Sequence, residues 1–154
     1  MQTSVENVET KYTGEETKEK ENIKEEESTL FPKSEYSDFI LTVMEPAKRT
    51  KLYLSRFTLN SINSPYIKEW VKDNQDLEVS DFSAGQYEKY FEYAPLRSPR
   101  LLEREAFWLL PLAFKFGPES LFTECTNKMP DNAESALMLT KYGLHGRWKY
   151  LILF

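Results

Sequence analysis

The sequence predicts an α+β domain, on three observations. Two short β-branched, apolar runs, Phe39–Val43 and Lys51–Leu54, flank the turn-like Glu45–Lys48 and read as a hairpin. Apolar residues recur at spacings of three and four through most of the chain after Ser64. No repeat period appears, so strands and helices belong to one small core rather than an array.

Before the hairpin the chain is rich in Glu, Lys, Thr and Ser. Residues 1–36 hold ten Glu and five Lys, so the net charge of -5 sits entirely in this segment. Its scattered Val5, Val8, Ile23 and Leu30 bury too little apolar surface to offset the entropy of ordering. Residues 1–36 are therefore expected to be a disordered acidic tail, with order beginning near Ser37. Glu16 and Lys20 stand at helical spacing, which leaves transient helix open.

After the hairpin, Ser64 is placed to cap a helix with Pro65 at its first position, and Ile67, Trp70 and Val71 fall on one face. Leu77–Val79 reads as a strand. Tyr87, Tyr90, Phe91 and Ala94 then mark the buried face of another helix. The run from Leu101 to Phe116 is helical in pattern through Leu102, Ala106, Leu109, Leu110 and Ala113, and Gly117 suits its end. Pro118 opens the next helix, lined by Leu121, Phe122, Cys125 and Met129. Asp131 with Glu134 resembles a capping box for a last helix bearing Ala136, Leu137 and Thr140, closed by Gly143. The domain is expected to span 37–129, with 130–154 a helical extension.

Composition excludes several functions. Residues 37–154 carry equal numbers of acids and bases with no Lys/Arg run, which lacks the footprint that phosphate backbones select. The longest apolar stretch, Phe107–Phe114, is far short of the about 20 residues of a membrane helix and contains Pro111. The first residues have neither a basic nor an apolar signal region, and Cys125 is the only cysteine. Both features point to a reducing intracellular compartment, cytoplasm or nucleus. One cysteine and one histidine, His145, do not make a zinc site, and five scattered glycines make no phosphate loop. No enzyme and no cofactor are expected.

In order along the chain, four stretches resemble the BTB/POZ family, especially its short-loop versions often joined to MATH domains. Ser37-Asp38 before Phe39–Val43 is similar to the family's opening strand. Residues 51–67 resemble its second strand, first helix and Ser-Pro-Tyr entry to the second. Residues 77–93 resemble its acidic strand and third helix, and residues 109–125 its paired helices ending in Cys. The resemblance implies a helical cluster capped by a small β-sheet, and a protein-interaction module that forms a homodimer or a BTB heterodimer. It also implies, as an alternative, a substrate adaptor of a cullin-based ubiquitin ligase or a competitor of one.

The chain departs from the family pattern in ways that imply a divergent member without a MATH domain. Residues 72–76 lack the hydrophobic-x-Glu element of cullin-binding members, and Val71-Lys72-Asp73 is the nearest imitation. Pro95 and Phe114 stand where the family prefers other residues, and Pro111 inside a helix costs about 3 kcal/mol unless packing compensates.

The resemblance assigns Asp38 and Arg56 to the mouth of the family's pocket, as an acid–base pair. The other reading is that Asp38 caps a turn and Arg56 is a solvated helix residue. Self-association is expected through Phe57, Leu59 and Ile62, while Tyr66, Trp70 and Tyr93 are the aromatics placed nearest a docking face. The closing Arg147–Phe154 run either packs back on the helices or joins an interface.

Overall fold

The computed structural model describes residues 23–141, so the first part of the expected tail, Gly143, His145 and the Arg147–Phe154 run lie outside the described residues. Within them the architecture is α+β, with a four-stranded sheet and six helices in the order β1 (Lys24–Glu27), β2 (Phe39–Met44), β3 (Lys48–Leu54), α1 (Arg56–Ser61), α2 (Pro65–Asp73), β4 (Asp76–Val79), α3 (Ala84–Tyr93), α4 (Glu103–Phe116), α5 (Glu119–Lys128) and α6 (Ala133–Lys141).

The hairpin forms the centre of the sheet. Phe39, Leu41 and Val43 of β2 lie opposite Leu54, Leu52 and Thr50 of antiparallel β3, and all six are buried, as period-two alternation requires. Burying each large apolar side chain of this set contributes about 1.5–3 kcal/mol. Strand β4 returns parallel to β2 after the α1–α2 connection, giving the sheet order β1-β3-β2-β4.

Strand β1 corrects the expectation that order begins near Ser37. Lys24–Glu27 pairs parallel with Lys48–Lys51 of β3, and the chain stays engaged beyond it through the Ser28 amide on Lys51 O and the Tyr53 amide on Phe31 O. The strand has no apolar alternation, because every one of its side chains is exposed. Its backbone pairing completes an otherwise open edge, which a hydrophobicity pattern does not register.

The helices follow their caps. Ser64 Oγ accepts from the Ile67 amide with Pro65 at the first position of α2. At the start of α3 the Ser83 hydroxyl accepts from the Gln86 amide while Gln86 Oε1 accepts from the Ser83 amide, a reciprocal capping box. Glu105 folds back to accept from the Leu102 amide ahead of α4. The last helix is capped by Asn132, whose Oδ1 accepts from the Ser135 amide, and not by Asp131. Ser135 is buried and Ala136 and Met138 are half-buried, whereas Leu137 is 72% exposed and Thr140 is exposed, so of the three residues expected on this helix only Ala136 is partly covered.

Pro111 stays within α4 instead of breaking it. It lies on the half-exposed side of the helix, beside the half-buried Phe107. The opposite side, Ala106, Leu109, Leu110, Leu112, Ala113 and Phe116, is buried and carries the packing that compensates. No described helix is long and apolar enough to cross a membrane.

Candidate functional site

The surface around α1 gathers most of the residues singled out from the sequence. Ser55 stands at its N-cap but makes no side-chain cap bond. The Asp38 carboxylate takes that role, its Oδ1 accepting from the Arg56 amide at 2.6 Å. Asp38 and Arg56 are thus brought together, through the main chain of one and the side chain of the other.

The guanidinium of Arg56 reaches past Asp38 to the end of α2. It donates to the carbonyls of Val71 and Asn74 and, through Nε, to the Asp38 carbonyl at 3.4 Å. Its carbon lies 5.7 Å from the centre of the Phe39 ring. This cation satisfies carbonyls at a helix C-terminus, where the macrodipole favours positive charge. Arg56 is neither a solvated helix residue nor a free pocket charge; it fastens α1 and α2 to the first residues of β2.

The three residues expected to mediate self-association separate. Leu59 and Ile62 are buried and project toward no partner from the surface, Leu59 only flooring a cleft beside α1. Phe57 is 86% exposed. A hexameric helix with one apolar residue turned inward and a phenyl ring turned fully outward is the feature that sets α1 apart from the other helices.

Beside α1 lies a cleft of about 170 Å3 lined by Phe31, Tyr36, Tyr53, Thr58, Leu59 and Phe91. One wall comes from the segment after β1. Ser28 anchors that segment, its hydroxyl donating to Glu88 at 2.7 Å and accepting from the Phe31 amide, and Phe31 meets Phe91 edge to face. Tyr36 is 74% exposed at this site. Neither Phe31 nor Tyr36 was singled out from the sequence. The signal was two aromatics inside a stretch whose composition reads as tail.

The remaining candidates fall elsewhere. Tyr66 is exposed and sets its ring edge-on to Phe116 at 6.1 Å. Trp70 is half-buried and packs against the core, 5.1 Å from Phe116 and 6.5 Å from Tyr87. Val71 is only 3% exposed, so Val71-Lys72-Asp73 does not offer an outward apolar residue, although Asp73 itself is exposed at the end of α2. Tyr93 is half-buried and donates its hydroxyl to the Glu105 carboxylate at 2.9 Å.

Two clusters of titratable groups occur away from α1. Asp81 accepts from the Tyr87 hydroxyl at 2.5 Å and from Lys115 Nζ at 2.7 Å. Burial alone would raise the Asp81 carboxyl, but these two hydrogen bonds and the Lys115 charge outweigh it and hold it below the usual carboxylate value. Burial and the same carboxylate push the Tyr87 hydroxyl far above the ordinary phenol range. Glu105 follows the same logic, held low against the effect of burial by the Leu102 amide, Tyr93 and Lys89.

Cys125 lies in the core, where burial and then the Glu124 charge push its thiol up to about 12. It is protonated at neutral pH and lacks the thiolate a nucleophile needs. Among the described residues no group of three or more His, Cys, Asp or Glu is placed to hold a metal ion. No protein-family model matches the chain, and no curated protein matches it as a relative.

Proposed function

We propose that the chain is a protein-interaction module of the BTB/POZ type that self-associates, or pairs with a related chain, through the surface around Phe57. The observation that carries the reading is the exposure of the Phe57 ring beside an apolar cleft of its own size. A cavity of about 150 Å3 accepts a benzene ring. Because the cleft borders the helix that bears Phe57, a two-fold axis passing close to α1 would place each ring against the cleft of the other copy. The element order, a hairpin followed by two helices, a parallel strand, a helix and a helix pair, supports the family assignment. A single cysteine, kept as a free buried thiol, fits the reducing conditions of cytoplasm or nucleus.

Among the described residues no feature favours docking on a cullin scaffold. With Val71 turned inward, the residues from Lys72 to Asp76 are all polar or charged and offer such a partner no apolar anchor.

Light scattering and sedimentation equilibrium on the full chain test the proposal. The expected result is a dimer at micromolar concentration that Phe57→Ser converts to a folded monomer, its thermal midpoint falling only to the value the parent chain approaches on dilution of the dimer. A monodisperse monomer at high micromolar concentration overturns it.

A further inference from the structure

We propose that Ser98, in the loop between α3 and α4, is a phosphorylation site, and that the groove it lines retains the phosphate. The chain contains two Ser-Pro steps, Ser64-Pro65 and Ser98-Pro99. A residue before proline is driven toward extended backbone, the form in which a protein kinase binds its substrate. The two serines differ in what surrounds them. Ser64 is 0% exposed, and its hydroxyl is committed to the Ile67 amide. Ser98 is exposed, and its hydroxyl has no hydrogen-bond partner among the described residues.

The loop is built to open. Residues 94–102 join the two helices, and from Arg97 to Leu101 no amide or carbonyl makes a main-chain hydrogen bond among the described residues. Pro99 and Leu101 are buried and seat this stretch, while Arg97, Ser98 and Arg100 are exposed. A segment held by so few apolar contacts opens at a small fraction of the free energy of global unfolding. Once Pro99 lifts, a kinase that reads proline directly after the acceptor has its whole signal. In the transfer, Ser98 Oγ attacks the γ-phosphorus of a nucleoside triphosphate and a new O–P bond forms. The bond from that phosphorus to the bridging oxygen breaks, the nucleoside diphosphate leaves, and the hydroxyl proton passes to a base of the kinase.

With the loop closed, Ser98 lines an open groove of about 870 Å3 against α5, together with Arg97, Arg100 and Lys128 and with Glu119 and Glu124. Three cations thus meet two carboxylates, and among the described residues none of them forms an ion pair. The arginines stand one residue before the acceptor and two after it. A phosphoserine brings about -1.5 to -2 of charge and three acceptor oxygens. Guanidinium forks bind such oxygens in pairs, so the cations outweigh the carboxylates, and Lys128 ties the phosphorylated loop to α5. The groove shares no residue with the cleft beside α1, so the inference stands apart from the role proposed for Phe57.

Incubating the full chain with ATP and a kinase that requires proline after its acceptor tests the site, and phosphorus NMR of the product tests the retention. The expected result is phosphate on the peptide from Tyr93 to Glu103, released by cleavage after glutamate, and none on that peptide in Ser98→Ala. The second pKa of the phosphate, about 6 in an unperturbed phosphoserine, is expected to lie at least about 0.5 unit lower in the folded chain than in the same chain in urea, because nearby cations favour the doubly charged form. The urea arm retains Arg97 and Arg100 as sequence neighbours, so the difference reads the folded groove. Lys128 is exposed, so Lys128→Gln leaves the fold intact and should narrow that difference. No phosphate on Ser98, a folded value equal to or above the unfolded one, or a difference untouched by Lys128→Gln overturns the proposal.

Discussion

The carboxylate of Asp38 holds the backbone amide of Arg56, while the Arg56 guanidinium is committed to the carbonyls of Val71 and Asn74 at the end of α2. The acid acts as a remote cap for α1 and the base as a clasp for α2. Their contributions are therefore separable. Asp38→Ala is expected to cost about 0.5–2 kcal/mol, the range of a lost helix cap. Arg56→Met, which keeps an unbranched apolar stem but removes the guanidinium over Phe39 and leaves the carbonyls without their donor, is expected to cost roughly 1–3 kcal/mol. Urea denaturation checks both. Equal and fully additive recovery of stability by Arg56→Lys would contradict the clasp, because an ammonium cannot span two carbonyls with the fixed fork of a guanidinium.

The Asp81 carboxylate predicts how stability responds to acid. Its folded pKa is depressed, so the stabilisation it supplies is fully present above the ordinary carboxylate value of 3.8 and is lost as pH falls through the lower folded value. Glu105 contributes in the same direction, its stabilisation fully present above its own ordinary value of 4.5 and lost as pH falls through its lower folded value. Thermal midpoints measured from pH 6 down to pH 2 should fall most steeply below about pH 4, where unperturbed carboxylates begin to take up protons. Asp81→Asn should lower the plateau and flatten that fall, because Lys115 then loses its counter-ion and Tyr87 its charged acceptor. An unchanged slope in both Asp81→Asn and Glu105→Gln would show that other carboxylates govern the acid limb.

How much of this was legible in the sequence depends on whether a feature is local. Ser64-Pro65 carries its own cap and first-turn chemistry, so α2 is readable from those residues, and the β-branched apolar run Phe39–Val43 marks β2, although Ile40 between Phe39 and Leu41 leaves its core face to be set by the pairing with β3. The pairing of β1 is not local. Lys-Glu-Glu-Glu becomes a strand because β3 presents an open edge to it, and nothing within those four residues encodes that edge. The same limit explains Leu59 and Phe57. Composition marks both as apolar, but only the position of α1 against the sheet decides which is buried. Arg56 was legible as half of a pair and not as a clasp, since its acceptors are carbonyls whose availability depends on where α2 ends.

Gly85 offers a test of a close approach that sequence alone does not reveal. A Cβ at this position would lie 2.6 Å from the far edge of the Trp108 ring, and Gln86 Nε2 donates to the Trp108 carbonyl next to it. Gly85→Ala gains up to about 1 kcal/mol of helix propensity but must push the indole off the first turn of α3. The expected outcome is net destabilisation in the parent chain. In a Trp108→Ala background the steric term vanishes, and Gly85→Ala should become stabilising. A double-mutant cycle by chemical denaturation reads this change of sign as coupling, and additive effects would mean that the indole leaves its place without loss.

Gly117 closes α4 with φ +77° and ψ -159°, a region that essentially only glycine occupies. Its amide donates to the Ala113 carbonyl, and its own carbonyl accepts from the Tyr90 hydroxyl at 2.8 Å. An added Cβ would meet Asn63 O at an ordinary 3.5 Å, so the cost of Gly117→Ala is one of backbone conformation and not of space. It is expected to be about 1–3 kcal/mol. Tyr90→Phe removes the hydrogen bond alone and should cost roughly 0.5–1.5 kcal/mol. If the alanine relaxes by turning the peptide, it moves the carbonyl away from Tyr90. The two substitutions together should then cost less than their sum. Full additivity would place the relaxation elsewhere in the turn, with the carbonyl still held by the Tyr90 hydroxyl.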